Sequence, residues 1–156
     1  FVLAAYFEDI IAAANLRFGR MTDSRFILQR VAESGDKRKN LGLELEVYDN
    51  YTGKSRSVST LSGGESFKAS LCLALGMADG VQSHTGGIQL DTMFIDEGFG
   101  TLDPESLDNA IECLVELKSA GRLVGIISHV PELKERIGAK LEVISTSRGS
   151  SARFAV

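Results

Sequence analysis

Apolar residues recur through the first eighteen positions at helical spacing. Val2, Phe7, Ile10, Ala14 and Phe18 fall on one face, which predicts a helix ended by Gly19. Arg25 to Val31 is rich in strand formers, and the charged stretch Glu33 to Asn40 reads as turn and loop. Leu41, Leu43, Leu45 and Val47 then alternate with Gly42, Glu44, Glu46 and Tyr48, the period of a strand with one wet face. Turn residues follow at Asp49-Asn50-Tyr51-Thr52-Gly53, and a second short strand is expected over Arg56 to Thr60.

From Leu61 the pattern changes to alternating helix and strand. A helix from about Glu65 to Asp79 should bury Phe67, Leu71, Leu75 and Ala78, with Gly80 closing it. Thr92 to Ile95, Leu123 to Ser128 and Leu141 to Ser145 are short continuous apolar runs, as expected of parallel strands covered on both faces. Between the first two, Asp103-Pro104-Glu105 supplies an N-cap, a first-turn proline and an acidic first turn; Leu107, Ile111 and Leu114 follow, and Gly121 stops the helix. The expected fold class is α/β with a mostly parallel sheet flanked by helices, preceded by a helix and antiparallel strands.

At 156 residues, 44% hydrophobic and 24% charged, the chain is the size of one folded domain with a real core. Its net charge of -4 carries no global basic signature, so contact with nucleic acid would be local or supplied by a partner. Cys72 and Cys113 have no metal-ligand spacing and read as small buried thiols, which fits a reducing compartment. No apolar run has the length of a membrane span and no signal peptide is visible, so a cytoplasmic location is expected. The start at Phe1, inside an apolar stretch, reads as that of an excised piece.

The apolar run Thr92 to Ile95 leads straight into Asp96 and Glu97. Two carboxylates at the carboxyl end of a buried strand stand where α/β sheets bind ligands. Asp96 could hold magnesium through water and Glu97 could orient or deprotonate an attacking water; the plain alternative is a strand ending in surface acids. Leu61-Ser62-Gly63-Gly64-Glu65 opens a helix, so its glycines and free N–H groups suit an anion, although Ser62 and Glu65 could equally form a simple capping box. His129 closes the run Leu123 to Ser128, placed to bond a phosphate oxygen or a water, or else to serve as a structural histidine. His84, in a Ser, Thr and Gly loop, has no such setting. Asp103 is expected to cap its helix, which is compatible with facing a neighbour's nucleotide. Gly53-Lys54-Ser55 has the ending of a phosphate-binding P-loop, but Tyr48 stands where that loop needs a glycine and no helix pattern follows.

The order LSGGE, an apolar strand ending in Asp96-Glu97, then Thr101-Leu102-Asp103, then a strand ending in His129 resembles the C-terminal lobe of ABC-type ATPase heads: signature turn, Walker B pair, D-loop and switch histidine. Gly87-Ile88-Gln89-Leu90-Asp91 through Asp96-Glu97-Gly98-Phe99-Gly100-Thr101-Leu102-Asp103 is similar to the bacterial SbcC family, coiled-coil ATPases of a DNA double-strand-break nuclease complex. The likeness runs over essentially the whole chain, with weaker motifs before Leu61.

That resemblance implies one lobe over 1–156: a coiled-coil-proximal helix over 1–20, antiparallel strands and a loop over 21–60, and the motif-bearing α/β part over 61–156. The Walker A loop and Q-loop would lie on an N-terminal lobe of the same head. ATP and magnesium are the implied cofactors, with Asp96 on the metal, Glu97 and His129 catalytic in cis, and Ser62, Gly63, Gly64, Glu65 and Asp103 facing nucleotide held by a second head. Implied partners are that N-terminal lobe, a second SbcC-like head, an SbcD-like nuclease and double-stranded DNA, with no membrane. A chromosome-organising SMC ATPase, an ABC transporter ATPase and a non-hydrolysing binding module are the alternatives.

Overall fold

The computed structural model describes residues 2–31, 44–84, 90–119, 121–147 and 149–155. The expected loop Glu33 to Asn40, the start of the alternating strand at Leu41, Gly42 and Leu43, and Gly87-Ile88-Gln89 lie outside them, as do Phe1 and the side chain of His84.

Helix α1 spans Val2–Met21 and α2 spans Gly63–His84. Ile10, Ile11, Ala14, Phe18 and Met21 form the buried stripe of α1, which packs against α2, where Leu71, Cys72, Leu75 and Ala78 are buried. Two glycines let the axes approach. A Cβ on Gly76 would lie 2.6 Å from the Ile10 carbonyl oxygen, and one on Gly80 would lie 3.2 Å from the Ile10 side chain. Gly80 therefore sits within α2 as a packing residue and does not close it. Gly19 is likewise inside α1. The helix ends two residues later, where Asp23 and Ser24 take positive φ and the Ser24 N–H returns to the Gly19 carbonyl at 2.7 Å.

Strands β1 (Phe26–Arg30), β2 (Leu45–Asp49) and β3 (Lys54–Ser57) form an antiparallel sheet in that order. Phe26, Leu28 and Val47 point into the core against α1, and Asn15 of α1 bonds both the N–H and the carbonyl of Leu28 at 2.8 Å. The third strand comes earlier than its pattern suggests, because Val58–Thr60 winds into a single 3-10 turn capped by the Ser57 hydroxyl. Lys54 and Ser55 pair with Asp49 and Tyr48 across the ladder, which is strand geometry and not that of a P-loop.

Helix α3 (Pro104–Ser119) packs Leu107, Ala110, Cys113, Leu114 and Leu117 into the same core; Gly121, at φ 87°, follows its end. Both cysteines are free and buried, and burial pushes the Cys72 thiol up to about 12.

Strands β4 (Thr92–Asp96) and β5 (Leu123–Ile127) form a parallel pair, as their apolar runs indicate. Cover on both faces is not observed. Met93, Ile95, Val124 and Ile126 pack on the core, whereas Phe94, Leu123 and Ile127 are open to solvent, Phe94 at 71% exposure. The short helix α4 (Pro131–Arg136) follows. The third apolar run is not parallel: β6 (Lys140–Thr146) forms an antiparallel hairpin with β7 (Gly149–Ala155), and no described residue of it is buried. No described helix is long and apolar enough to cross a membrane.

Candidate nucleotide site at the LSGGE turn and the Asp96-Glu97 strand end

The LSGGE turn is a capping box. The Ser62 N–H donates to Glu65 Oε2 at 2.8 Å and the Glu65 N–H donates to Ser62 Oγ at 3.3 Å, which fixes the first turn of α2. Ser62 Oγ serves there as an acceptor, so its own hydrogen remains available to donate outward. The capping and anion-facing readings thus coexist in one residue. A Cβ on Gly64 would stand 2.8 Å from the Thr101 carbonyl oxygen, so only glycine lets the turn lie against the segment after β4. Together they border a cleft of about 430 Å³ lined by Ser62, Gly63, Gly64, Glu65, Lys68, Thr101 and Asp103.

Asp103 caps α3 as expected. Its Oδ1 accepts the Ser106 N–H at 2.9 Å and its Oδ2 accepts the Ser106 hydroxyl at 2.6 Å, and these bonds hold its carboxyl below the usual range. The cleft therefore has hydroxyl and backbone donors on one edge and a carboxylate on the other.

The second cluster lies at the carboxyl end of β4. Asp96 ends the strand exposed, and its carboxylate makes no hydrogen bond or ion pair among the described residues. Glu97 follows at φ 57° with its N–H bonded to the Ile127 carbonyl at 2.9 Å, a left-handed residue pinned to β5. Its Oε2 lies 2.9 Å from Nδ1 of His129, and both side chains are exposed to solvent. An Nδ1–H given to Glu97 leaves Nε2 as a lone pair, on the side where Gly100 lies.

Gly98 makes this strand exit possible. Its φ is 95° and a Cβ would stand 2.2 Å from the Phe67 ring. The 3-10 turn Phe99–Thr101 anchors on the buried Phe99, which meets Phe67 edge-on at 4.9 Å, and its other end reaches the LSGGE turn through Thr101. The segment 98–101 thus sets Gly98 against Phe67, Gly100 beside His129 and Thr101 against Gly64.

The structure brings Glu97 and His129 together with Asp96 adjacent in sequence, and gathers Ser62, Gly63, Gly64, Glu65 and Asp103 around the cleft. A single unpaired carboxylate suits magnesium, which keeps water and phosphate oxygens for its other positions. Among the described residues no group of three or more His, Cys, Asp or Glu stands together in a way that could hold a metal ion. The sequence pattern does not single out Lys68 or Ser106 as site residues. Ser106, three residues after Asp103, has the spacing of a capping partner; Lys68 carries no signal, because its partners come from α1 and α3.

The family model described as "SbcC/RAD50-like, Walker B motif" matches residues 32–116. The chain is 54% identical over 154 residues to the SbcC component of the SbcCD nuclease of Vibrio cholerae, covering 99% of this chain and 15% of that protein. The SbcC component from Staphylococcus aureus is 54% identical over 155 residues, with the same coverage. The chain thus spans about 15% of the length of these relatives. Among solved structures, a chain from a study of ATP-driven dimerisation and DNA-stimulated activation of SMC ATPases superposes with a TM-score of 0.72 at 15% identity, covering 99% of this chain and 88% of that one. An Smc head domain from Pyrococcus furiosus bound to the C-terminal domain of ScpA gives 0.67 at 16% identity, covering 95% and 35%.

Proposed function

The chain belongs to the SbcC/RAD50-like family, and from that premise we propose that residues 1–156 form the C-terminal lobe of a split, magnesium-dependent ATPase head in a DNA-repair nuclease complex. Asp96 would carry the magnesium, which when bound neutralises developing phosphate charge. Glu97 would orient and deprotonate the attacking water, and His129 would hold the Glu97 carboxylate while offering Nε2 to that water or to a terminal phosphate oxygen. Ser62 Oγ–H and the N–H groups of Gly63 and Gly64 would donate to the γ-phosphate bound by a second head, with Glu65 holding the turn and Asp103 facing the same nucleotide. ATP would then join two heads and hydrolysis would release them, governing an SbcD-like nuclease on double-stranded DNA.

The observation that carries this reading is the Glu97–His129 pair at 2.9 Å on the end of a sheet whose other face is bare. Phe94, Leu123 and Ile127 offer an apolar surface on which an N-terminal lobe bearing the P-loop would complete the sheet. The 54% identity to SbcC proteins, against 15% and 16% to the SMC heads, favours a nuclease-linked ATPase over a chromosome-organising one. The chain by itself should hydrolyse no ATP, and addition of the N-terminal lobe should restore magnesium-dependent turnover. Turnover by the chain alone would overturn the split-site reading.

A further inference from the structure

Lys68 lies one turn into α2, half-buried, on the wall of the LSGGE cleft. Its ammonium donates to the Met21 carbonyl at 3.2 Å and to Ser106 Oγ at 3.0 Å. Met21 is the last residue of α1, so its carbonyl has no acceptor role left inside that helix and is satisfied by Lys68. Ser106 is the third residue of α3 and passes its own hydroxyl hydrogen to Asp103 Oδ2 at 2.6 Å. One amine therefore joins the end of α1 to the start of α3, and through Ser106 reaches the carboxylate on the far edge of the cleft. A cation beside a helix N-terminus opposes the helix dipole, and the Asp103 carboxylate behind Ser106 offsets that.

The two edges of the cleft thus touch twice. In front, Gly64 lies against the Thr101 backbone; behind, Lys68 is tied to Ser106. A contact of glycine with a carbonyl limits approach but leaves the edges free to slide, whereas a lysine bonded to two fixed acceptors resists sliding. We propose that Lys68 is a positioning residue that locks the Asp103 edge of the cleft in register with the Ser62 to Gly64 edge, so that both meet the opposite head's nucleotide as one surface. This rests on the reading that the cleft faces a second head.

The test uses the full-length protein in a Glu97→Gln background, where ATP-dependent head dimerisation is measured apart from hydrolysis. Lys68→Met keeps the aliphatic stem and removes the donors; it should weaken the ATP-dependent dimer about tenfold, ~1.4 kcal/mol, while ATP affinity of the undimerised head stays at the parental value. Ser106→Ala should act in the same direction, and the double variant should be no worse than Lys68→Met, because both cut one chain of bonds. Wild-type dimer affinity in Lys68→Met, a lowered unfolding midpoint with unaltered dimer affinity, or full additivity of the two changes would each overturn the proposal. If Lys68→Met fails to fold, Ser106→Ala, which keeps the bond to Met21, decides by itself. Ser62→Arg separates the two readings: normal dimerisation in that variant defeats the facing-head premise, whereas its loss alongside unaffected Lys68→Met defeats only the role of Lys68.

Discussion

The two ends of this molecule bury their apolar residues differently. Around α1, α2, α3 and the three-stranded sheet, Phe18, Leu28, Val47, Cys72 and Leu75 are almost wholly enclosed by their own chain. On β4, β5 and the β6–β7 hairpin, residues just as apolar stand open: Phe94 at 71%, Val143 at 70% and Phe154 at 83% exposure. The first region completes its own core. The second has strand register and pairing, but among the described residues these apolar side chains stay open to solvent, the surface that the proposed N-terminal lobe would cover.

The sharpest way to break that comparison is at Phe18, which is 0% exposed. Phe18→Ala should cost about 3–5 kcal/mol by urea unfolding, the usual range for truncating a buried aromatic. A loss below ~1 kcal/mol would show that the helical core is less self-contained than its burial implies. Next in size is a change with no bearing on packing. Glu97→Gln in the completed head should lower ATP turnover about 100-fold or more, as expected for loss of a general base, yet leave the unfolding midpoint unchanged, since the side chain is about half exposed. Normal turnover would refute the role given to Glu97.

Legibility in the sequence follows the same division. The α1 stripe, β1, the capping box at Ser62 and Glu65 and the Asp103 cap can be read from local pattern, because each is decided by neighbours within a few residues; the β4 and β5 runs are legible as strands too, but their pairing, Thr92 against Leu123, is a long-range fact. Gly80 misleads because glycine is both a helix stop and a close-packing residue, and its contacts with Ile10 and Tyr6 of α1 are long-range facts; Gly19 meets nothing within 4 Å and misleads only by its closeness to the true end, which Asp23 and Ser24 set by their positive φ. Leu141 to Ser145 misleads more deeply. A continuous apolar run suggests cover on both faces, but pattern alone does not say whether the cover comes from the same chain or which direction the partner strand runs. At the candidate site, the order of motifs locates Glu97 and His129 but not the left-handed turn at Glu97 and Gly98 that presents them.

Phe94 sharpens the comparison more gently. In the chain by itself Phe94→Ala should move stability by no more than about 0.5 kcal/mol, as for an exposed site, even though its ring lies over Gly125. In the completed head the same change should cost about 1.5–3 kcal/mol if the bare face is covered there. Equal effects in both forms would mean that the face stays wet.

The smallest effect separates two carboxylates with the same partner type in the two regions. Arg25 holds the Asp49 carboxyl below its ordinary value by a hydrogen bond of 3.1 Å, helped by the Tyr51 N–H; Arg153 does the same to Glu142 at 2.7 Å on the hairpin. In each case the folded form binds its proton at lower pH than the unfolded chain, whose carboxyls titrate near ~4. The stability each pair contributes is therefore present above that value and is lost as pH falls through the folded one. The surroundings differ, however. The Asp49 side chain is 3% exposed, while Glu142 and Arg153 are 39% and 68% exposed and screened by water and salt. Asp49→Asn should flatten the fall in urea midpoint between pH 5 and pH 3, read by denaturation at matched ionic strength, whereas Glu142→Gln should leave the curve unchanged. A Glu142→Gln variant that flattens the curve as much as Asp49→Asn would place a stability-bearing ion pair on the open hairpin and erase the distinction between a region that encloses its apolar side chains and one that leaves them open.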